Sequence, residues 1–383
     1  MRIGVPREIK NGERRVGLVP AAVRALVDAG HEIVVERDAG CASGFDDALY
    51  VAAGASIVDE PSAIWQCPLI VKVKEVQRAE YERLVPGTTI FGFAQLNRDP
   101  VLLQAVLDAR VRVIASETVR DAANHLPLLA PMSRIAGRLA PLVGAQALQT
   151  QCGGNGTLIT GVDEVEAARV LVIGAGNAGS EAARVAARLH CSVTVLSRGQ
   201  ARLAALQDAL AAEKLRVAVG RVDGDTKIVD RAVAAADLVI GAVLEPGTLS
   251  PKLASRDAVR AMRRGSAIVD IGIDQGGICE TSRMTTLSHP TYVEEGVVHY
   301  AVPNMPALVA RTATLALAAA ALPYIRALAD LGIADALNAD PGLAAGVMVW
   351  DGSVAHAGLA ADTGLRAVLN VWRSGPSRRG QAA

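Results

Sequence analysis

The stretch Val170-Leu171-Val172-Ile173-Gly174-Ala175-Gly176-Asn177-Ala178-Gly179 decides the fold, because an apolar run passes there into a glycine-rich turn. An alanine-rich segment with helical spacing follows, and then a second strand-like run at residues 192–196. In this setting Gly174 allows a tight turn, Gly176 lets a pyrophosphate approach bare backbone, and Gly179 lets the helix press against the strand. The start of the helix would face the phosphates with free N–H groups. The pattern predicts a dinucleotide-binding Rossmann unit, and a glycine-rich turn that binds nothing is the alternative.

The end of the second strand indicates which dinucleotide binds. An NAD-specific site usually carries an Asp or Glu there, about 20 residues past the glycines, to accept from the ribose 2′-hydroxyl. This chain has Ser197-Arg198-Gly199 instead, with Arg202 one turn later. A carboxylate would repel a 2′-phosphate, whereas a hydroxyl and guanidinium groups suit it through charge-assisted hydrogen bonds. NADP(H) is therefore favoured over NAD(H), and a solvated turn with tolerant NAD binding is the alternative.

The composition is that of an ordinary soluble globular protein. Of 383 residues, 51% are hydrophobic, and Lys plus Arg balance Asp plus Glu at 39 each, so no net field favours nucleic acid. The five cysteines are scattered and odd in number, which predicts neither a disulfide framework nor a zinc site. The N-terminus lacks the pattern of a signal peptide, and the apolar segment 312–322 stops at Pro323, short of a bilayer span. We expect a cytoplasmic protein with no metal, no membrane and no nucleic-acid partner.

Strand-like and helix-like stretches alternate on both sides of the glycine turn. Before the turn, we predict strands at residues 2–5, 32–36 and 69–73, and helices at 20–29 and 46–53. Around and after it, we predict strands at 169–172, 192–196, 216–219, 238–242 and 267–271, and long helices at 126–148 and 312–329. This βαβ rhythm is typical of parallel sheets.

The predicted fold is α/β, with two Rossmann-like doubly wound domains separated by a cleft and linked by long helices. Residues 1–130 and 308–383 would form the substrate (catalytic) domain. Residues 131–307 would form the dinucleotide-binding Rossmann domain.

Candidate substrate-binding residues follow the predicted strands of the first domain. Arg15 lies in the polar loop after the first strand, where a parallel α/β domain places ligand groups, and its guanidinium could fork onto a substrate carboxylate. Lys72 and Lys74 alternate with valines, so both would project from one face near the carboxyl end of a strand. Lys74 is nearer the tip and is the predicted substrate contact. A solvated surface charge is the alternative for each residue.

Polar residues of the second domain are candidates for work beside the nicotinamide. Asp270 and Asp274 flank Ile271-Gly272-Ile273 at the end of a buried strand, where a carboxylate could orient substrate or exchange a proton. Asp270 fits the role of a loop cap at least as well, so Asp274 is the predicted catalytic carboxylate. Asn304 lies in the stiff loop Val302-Pro303-Asn304-Met305-Pro306 and could hold the carboxamide, with a simple turn as the alternative.

Together these segments resemble the alanine dehydrogenase family and its relatives, the transhydrogenase nucleotide-binding subunit and the lysine-forming saccharopine dehydrogenases. The motifs that carry the resemblance span nearly the whole chain: Pro6-Arg7-Glu8-Ile9-Lys10-Asn11, Glu13-Arg14-Arg15-Val16, Val71-Lys72-Val73-Lys74-Glu75, Pro127-Leu128-Leu129-Ala130-Pro131-Met132-Ser133, Ile273-Asp274-Gln275-Gly276-Gly277 and Asn304-Met305-Pro306. The resemblance implies two Rossmann-like domains, the first completed by the C-terminus, with the active site in the cleft. It also implies reversible NAD-linked interconversion of an L-amino acid with a 2-oxo acid and ammonia, in a homo-oligomer that would be a hexamer or a dimer.

The resemblance also implies roles for individual residues. Arg15 and Lys74 would hold the substrate carboxylate and carbonyl, and Asp274 would be a catalytic acid/base or orienting carboxylate. The residues implied to line the cofactor are Ser133, Asn177, Ala178, Val243, Leu244, Ile271, Arg283, Asn304 and Met305.

The chain departs from the family pattern at two places. Ser197 and Arg198 stand where the family keeps its ribose-binding Asp, which supports NADP(H). The catalytic histidine of the family belongs in the predicted strand end 90–96, and the matching residue is Gln95. Glutamine can donate a hydrogen bond to a carbonyl oxygen but cannot titrate near neutral pH. General acid-base help typically contributes about 10²- to 10⁴-fold, so ordinary alanine deamination is in question.

The sequence predicts an NADP(H)-dependent oxidoreductase acting on the C–N bond of an amino or imino acid, with Lys74, Gln95 and Asp274 at the reacting centre. Its substrate would be a small 2-oxo acid with ammonia. One alternative is an imine reductase or N-(carboxyalkyl) amino acid synthase that uses a primary amine, since an imine is already activated by its own charge. An alternative of another class is a non-catalytic NADPH-binding sensor.

Overall fold

The computed structural model describes residues 1–222, 226–243 and 250–374. The chain forms two compact units. The first contains Met1–Met132 together with the chain from Ala307 onward, and the second contains Ser133–Pro306.

The strands and helices alternate along most of the chain. The strands are β1 (Arg2–Val5), β2 (Glu32–Glu36), β3 (Ser56–Val58), β4 (Leu69–Val71), β5 (Thr89–Gly92), β6 (Arg112–Ala115), β7 (Arg169–Ile173), β8 (Ser192–Ser197), β9 (Ala218–Arg221), β10 (Leu238–Gly241), β11 (Ala267–Asp270), β12 (Thr291–Glu294), β13 (Val297–Tyr300), β14 (Val347–Trp350) and β15 (Ser353–Val354). The helices are α1 (Pro20–Asp28), α2 (Asp47–Ala52), α3 (Pro61–Trp65), α4 (Pro100–Asp108), α5 (Leu129–Ala147), α6 (Asn177–Arg188), α7 (Gln200–Ala212), α8 (Thr226–Ala235), α9 (Arg256–Ala261), α10 (Ala310–Leu331), α11 (Ile333–Ala339), α12 (Pro341–Ala344) and α13 (Ala357–Thr363).

The first unit is built on a sheet of order β15-β14-β6-β5-β4-β1-β2-β3. Strands β1 to β6 pair in parallel, and the late strands β14 and β15 extend the edge in antiparallel fashion. Successive side chains enter opposite cores: Ile33 and Val35 of β2 lie in one, and Val34 lies in the other. Strands buried on both faces need helices on both sides, which is the doubly wound arrangement. The strand order reverses between β1 and β4, so the loops after these two strands diverge from one point.

The second unit repeats this plan with a sheet of order β12-β13-β11-β10-β7-β8-β9. Its strands pair in parallel except for the β12–β13 hairpin, and the order reverses between β7 and β10. The α/β class with two Rossmann-like units is therefore confirmed.

One predicted strand is displaced. We expected a strand at residues 216–219, but β9 spans Ala218–Arg221. A Cβ at Gly220 would lie 2.7 Å from Cδ2 of Leu196, so this glycine permits close packing within the strand and does not end it. The shift brings Arg221 to the carboxyl end of β9.

The expectation that the late apolar segment falls short of a bilayer span is wrong by length and composition, whereas the predicted helix at residues 312–329 is present as α10. Helix α10 runs through Pro323 as far as Leu331, although proline removes one backbone donor and crowds the preceding turn. Packing of Ala318, Ala321 and Ile325 in the core of the first unit offsets that cost. Within the described residues the stretch Met305–Leu331 is long and apolar enough to cross a membrane by composition, with 44% of its most apolar window buried. Its buried face identifies it as a core helix.

The glycine turn between β7 and α6 is shaped by two close approaches. Gly174 has a φ of 113°, and a Cβ there would overlap the carbonyl oxygen of Ala242, the residue after β10. A Cβ at Gly179 would overlap the carbonyl oxygen of Gly174. Gly176 is different, because a Cβ built on it meets no heavy atom within 4 Å in the described structure. The protein's own packing thus explains Gly174 and Gly179 but not Gly176.

The contrast between these glycines yields a test. Gly179→Ala should lower the free energy of unfolding by about 1–3 kcal/mol, because its methyl group must push helix and strand apart. Gly176→Ala should change it by less than about 1 kcal/mol, and it should weaken dinucleotide binding at least tenfold by filling the space for the pyrophosphate. Thermal unfolding and fluorescence titration with NADPH measure the two effects. Unchanged NADPH affinity in Gly176→Ala would refute a dinucleotide at this turn.

Candidate functional site

The carboxyl ends of the parallel strands in the first unit carry the candidate substrate residues. Arg15 follows β1, Lys74 follows β4, and Gln95 follows β5. Strands β1, β4 and β5 are neighbours in the sheet, so the topology brings these three loops to one edge. Three carboxylates that the sequence did not identify as supports hold these loops: Glu8, Glu13 and Glu117.

Arg15 is held by a carboxylate two residues before it. Its Nε donates to Oε1 of Glu13 at 2.7 Å, and its Nη2 donates to Oε2 at 2.6 Å. Both side chains are buried, Arg15 being 2% exposed. Nη1 donates to Sδ of Met132 at 3.1 Å, and a thioether is a weak acceptor. The guanidinium is thus pre-oriented, and a carboxylate would be a stronger partner for Nη1 than the sulfur is.

Lys74 is positioned through its backbone. Oε1 of Glu8 accepts from the N–H groups of Val73 and Lys74, at 2.6 and 3.2 Å. Glu8 lies in the loop after β1, so it ties together the two loops that diverge where the strand order reverses. Burial raises the pKa of Glu8, an effect partly offset by the charge of Lys72. The Lys74 side chain is 6% exposed, and its Nζ lies 3.9 Å from Oε2 of Glu75.

Lys72 has a structural environment. Its Nζ lies 2.9 Å from Oε1 of Glu80 and 3.4 Å from Oε2 of Glu8, with the ring of Trp65 at 5.8 Å. Burial alone would lower the pKa of Lys72, but the charges of Glu8 and Glu80 outweigh it and raise the pKa. The alternative that Arg15, Lys72 and Lys74 are solvated surface charges is wrong, since all three are buried.

Gln95 stands in a backbone conformation that few side chains adopt. Its φ is 47°, in the left-handed region, and its side chain is half-buried. Oε1 of the half-buried Glu117 accepts from the Gln95 N–H at 2.8 Å and from the Ala94 N–H at 3.1 Å. Burial raises the pKa of Glu117, and hydrogen bonds from these amides partly offset it. Glu117 therefore holds the backbone after β5 in place, as Glu8 holds the backbone after β4.

In the second unit, three loops converge where the strand order reverses. Ala242 donates its N–H to the Ile173 carbonyl at 2.8 Å, which holds the loop after β10 against the glycine turn. A Cβ at Gly272 would lie 2.8 Å from the carbonyl oxygen of Val243, so the loop after β11 lies against the loop after β10. The structure thereby gathers the glycine turn, with Asn177 and Ala178 beginning α6, beside Val243 and Ile271. Leu244 lies outside the described residues.

Asp270, the last residue of β11, and Asp274, four residues later, differ in their surroundings. Asp270 is buried, and its Oδ2 accepts from the Ile278 N–H at 2.8 Å and from the Ser282 hydroxyl at 2.6 Å. Burial raises its pKa, and those hydrogen bonds partly offset the effect. Asp270 therefore organises its loop, as the alternative reading of the sequence expected. Asp274 is half-buried, in the short 3-10 helix Ile271–Gln275.

The other residues implied to line the cofactor are spread over the second unit. Ser133 lies half-buried on α5, and the Arg283 guanidinium lies 3.8 Å from the ring centre of Tyr292. Asn304 is half-buried with a φ of 63°. The Met305 side chain lies in the apolar core, which leaves its backbone for a ligand contact.

The turn after β8 contains the residues predicted to select the dinucleotide. Ser197 ends β8 and is half-buried, and the exposed Arg198 follows it. Gly199 precedes α7, and Arg202 lies exposed in the first turn of that helix. Register pairs Ser197 with Arg221 of β9, which the sequence analysis missed because it ended that strand two residues early.

The residues of this edge fit a dinucleotide. The open space at Gly176 provides room for a pyrophosphate against bare backbone. Among the residues that the structure describes, no side chain caps the start of α6, so its first N–H groups can serve an anion.

Comparison with known proteins gives a consistent result. A family model described as "Alanine dehydrogenase/PNT, N-terminal domain" matches residues 4–136, and one described as "Alanine dehydrogenase/PNT, C-terminal domain" matches residues 140–357. An alanine dehydrogenase of Staphylococcus haemolyticus (strain JCSC1435) is 46% identical over 366 residues, which cover 95% of this chain and 97% of the relative.

Solved structures agree with these matches. An L-alanine dehydrogenase superposes with a TM-score of 0.90 at 42% identity, covering 95% of this chain and 99% of that one. A transhydrogenase from Sinorhizobium meliloti superposes with a TM-score of 0.80 at 22% identity, covering 92% and 100%, and supports the fold alone. The resemblance inferred from the motifs is confirmed, and the chain belongs to the alanine dehydrogenase/PNT family.

Proposed function

We propose that the protein is an NADP(H)-dependent amino-acid dehydrogenase that interconverts an amino acid with a 2-oxo acid and ammonia. Family membership supports the coarser statement, an amino-acid dehydrogenase with a nicotinamide cofactor. The observation that carries the proposal is the burial of Arg15 and Lys74 on the loops of neighbouring strands. Buried cations at the carboxyl edge of a parallel sheet favour an anionic ligand. The similarity to alanine dehydrogenases makes L-alanine the first substrate to test.

Each unit has a part in this proposal. The unit that contains Arg15 and Lys74 binds the substrate, and the unit that contains the glycine turn binds the dinucleotide, which supplies or accepts hydride when bound. In the reductive direction, 2-oxo acid, ammonium, NADPH and a proton give amino acid, NADP⁺ and water. Val243, Ile271, Asp274 and Asn304 contribute to the dinucleotide side of the reaction.

Arg15 and Lys74 divide the recognition of the oxo acid. Nη1 of Arg15 exchanges the Met132 sulfur for a carboxylate oxygen of the substrate, a charge-assisted and therefore stronger contact. Nζ of Lys74 donates to the substrate carbonyl oxygen and polarises it for attack by ammonia. Glu13 and Glu8 keep the guanidinium and the lysine backbone in place.

Loss of water from the addition product requires a proton donor. Lys74 and Asp274 are the titratable candidates, while the amide of Gln95 donates a hydrogen bond without giving up a proton. Gln95 follows β5 and Lys74 follows β4, so both residues lie at the same edge of the sheet. The backbone at Gln95 is left-handed.

Gln95 also favours a second candidate function. An imine formed from a 2-oxo acid and a primary amine carries its own positive charge when protonated, and it accepts hydride without a titrating acid at this position. The enzyme would then be an imine reductase or N-(carboxyalkyl) amino acid synthase. A non-catalytic NADPH sensor is the least supported, because it has no use for the buried Arg15 and Lys74.

NADP(H) is the proposed dinucleotide because hydroxyl and guanidinium groups occupy the turn after β8. Ser197, Arg198 and Arg202 offer donors to a 2′-phosphate and no negative charge. We further propose a cytoplasmic homo-oligomer, a hexamer or dimer, on the strength of the family resemblance.

The cofactor proposal predicts tighter binding of NADPH than of NADH in fluorescence titrations. Arg198→Ala should erase most of the preference by removing a charge-assisted hydrogen bond worth about 1.5–3 kcal/mol. Ser197→Asp should reverse it, because the new carboxylate repels a 2′-phosphate and accepts from a 2′-hydroxyl. Arg216→Ala is the matched control, since Arg216 is also an exposed arginine and precedes β9 at its opposite end. Equal affinities in the unmodified protein would contradict the proposal.

The two lysines after β4 should respond differently to replacement. Lys74→Met should lower kcat/KM for the oxo acid at least a hundredfold, since a substrate contact and a proton donor are lost. Lys72→Met should mainly lower the free energy of unfolding, by about 3–5 kcal/mol, because Glu8 and Glu80 remain buried without their cation. Urea unfolding and steady-state kinetics separate the effects. If Lys74→Met lowers the free energy of unfolding but leaves kcat/KM unchanged, Lys74 is not part of the site.

Gln95→His should raise the ammonia-dependent rate at least tenfold. Histidine tolerates a positive φ and titrates near neutral pH, so it supplies the missing acid-base group. Gln95→Asn is the control, because asparagine also tolerates this backbone but does not titrate. The assay follows NADPH oxidation with a panel of 2-oxo acids and either ammonia or primary amines.

The unmodified protein distinguishes the candidates in the same assay. A faster rate with ammonia supports the dehydrogenase, and a faster rate with a primary amine supports the imine reductase. NADPH binding without turnover on any pair would support the sensor. If His and Asn at position 95 give the same ammonia rate, titration at this position is not what limits the enzyme.

A further inference from the structure

We propose that Arg221 completes a binding site for the 2′-phosphate of the dinucleotide, together with Ser197, Arg198 and Arg202. The proposal rests on the NADP(H) preference proposed above. It adds a specificity residue from a different strand, which lies 19 residues beyond Arg202 in the sequence.

The register of β8 and β9 places Arg221 directly beside Ser197. The two strands pair in parallel with Ser197 opposite Arg221, and the Val222 N–H donates to the Ser197 carbonyl at 3.1 Å. Neighbouring strands lie about 4.8 Å apart, so the two backbones are adjacent at the carboxyl edge. This is the edge at which parallel sheets bind their ligands.

The two side chains leave the sheet on the same side. Val195 of β8 and Val219 of β9 pack in the same apolar core. Since side chains alternate along a strand, Ser197 and Arg221, each two residues further on, extend from that face as well. Helix α7 covers this face with Leu203 and its neighbours, so the first turn of α7 lies over the end of β8.

Arg202 closes the arrangement from the helix. A Cβ at Gly199 would lie 3.7 Å from Cβ, Cγ and Cδ of Arg202, so the stem of this arginine lies along the turn. Gly199 provides no side-chain cap for α7, and the positive end of the helix dipole faces the same region. Guanidinium groups thus come from the turn, the helix and the neighbouring strand.

The charge of this region favours a dianion. The sequence contains no Asp or Glu from Ser192 to Gln207. Asp223 and Asp225 follow Arg221 in the sequence and lie outside the described residues. Arg198, Arg202 and Arg221 are all exposed, which would make isolated ion pairs weak. A dinucleotide already anchored at the glycine turn makes the phosphate contact effectively intramolecular, so a modest attraction suffices for selectivity.

A simpler role for Arg221 exists. Strand β9 is the edge of its sheet, and exposed edges often carry charges that oppose pairing with other chains. The experiment below is designed to separate this role from phosphate binding.

The test uses two fragments that lack nicotinamide, 2′,5′-ADP and 5′-AMP, so its readout is binding measured by isothermal titration calorimetry. The unmodified protein should bind 2′,5′-ADP more tightly than 5′-AMP. Arg221→Ala should weaken 2′,5′-ADP about tenfold to a hundredfold and leave 5′-AMP within about twofold, as expected for a charge-assisted contact. The affinity of Arg221→Lys for 2′,5′-ADP should lie between those of the unmodified protein and Arg221→Ala, because lysine keeps the charge but loses the planar guanidinium that can donate two parallel hydrogen bonds. Arg216→Ala should match the unmodified protein.

Three outcomes are distinguishable. Selective loss of 2′,5′-ADP binding in Arg221→Ala, with an unchanged thermal unfolding midpoint, supports the proposal. If the unmodified protein prefers 2′,5′-ADP and Arg198→Ala lowers that preference while Arg221→Ala does not, Arg221 is an edge charge and only this inference fails. If the unmodified protein binds both fragments equally, the NADP(H) preference and this inference fail together.

Discussion

The reversal of strand order within each sheet is the constraint on which the site depends. It separates the loops after β1 and β4 in the first unit, and the loops after β7 and β10 in the second. Each unit holds its two diverging loops together, and the two units do so in opposite ways. Glu8 joins the first pair of loops through a buried carboxylate that accepts from two amides. Gly174 joins the second pair by omitting a side chain, so that the backbone beside Ala242 can close. The first unit therefore gathers charged side chains at this edge, whereas the second unit exposes backbone without side chains there.

This difference matches the ligands proposed for the two units. Buried charges are costly unless they are paired, and the first unit pairs them: Glu13 with Arg15, and Lys72 with Glu8 and Glu80. The pair of Lys72 with Glu8 and Glu80 supports the loops, and the pair of Glu13 with Arg15 orients the guanidinium proposed to bind the substrate. The second unit needs few buried charges there, because a pyrophosphate is satisfied by backbone N–H groups.

Much of the fold could be predicted from the sequence, because strands such as β2 and β7 are short apolar runs whose periodicity is local. The candidate residues Arg15, Lys74 and Gln95 could be named because motifs and strand ends mark them. The residues that hold these candidates in place could not be predicted. Glu8 contacts Val73, 65 positions away, and Glu117 contacts Gln95, 22 positions away, and neither pair leaves a local pattern. Arg221 was missed for a smaller reason: the strand was predicted to end at Val219, two residues before its observed end. Helix α10 was predicted across Pro323, and the packing of its buried face in the core explains why the proline does not end it.

The hold of Glu117 on the backbone at Gln95 has an evolutionary consequence. The left-handed bend at this position is fixed by amide hydrogen bonds, and the side chain at position 95 takes no part in them. Codons for histidine and glutamine differ only in their third base. A single nucleotide change could therefore exchange a titrating group for a neutral one while the loop keeps its shape. A lineage could alter the chemistry of its enzyme at this position without first passing through a misfolded ancestor.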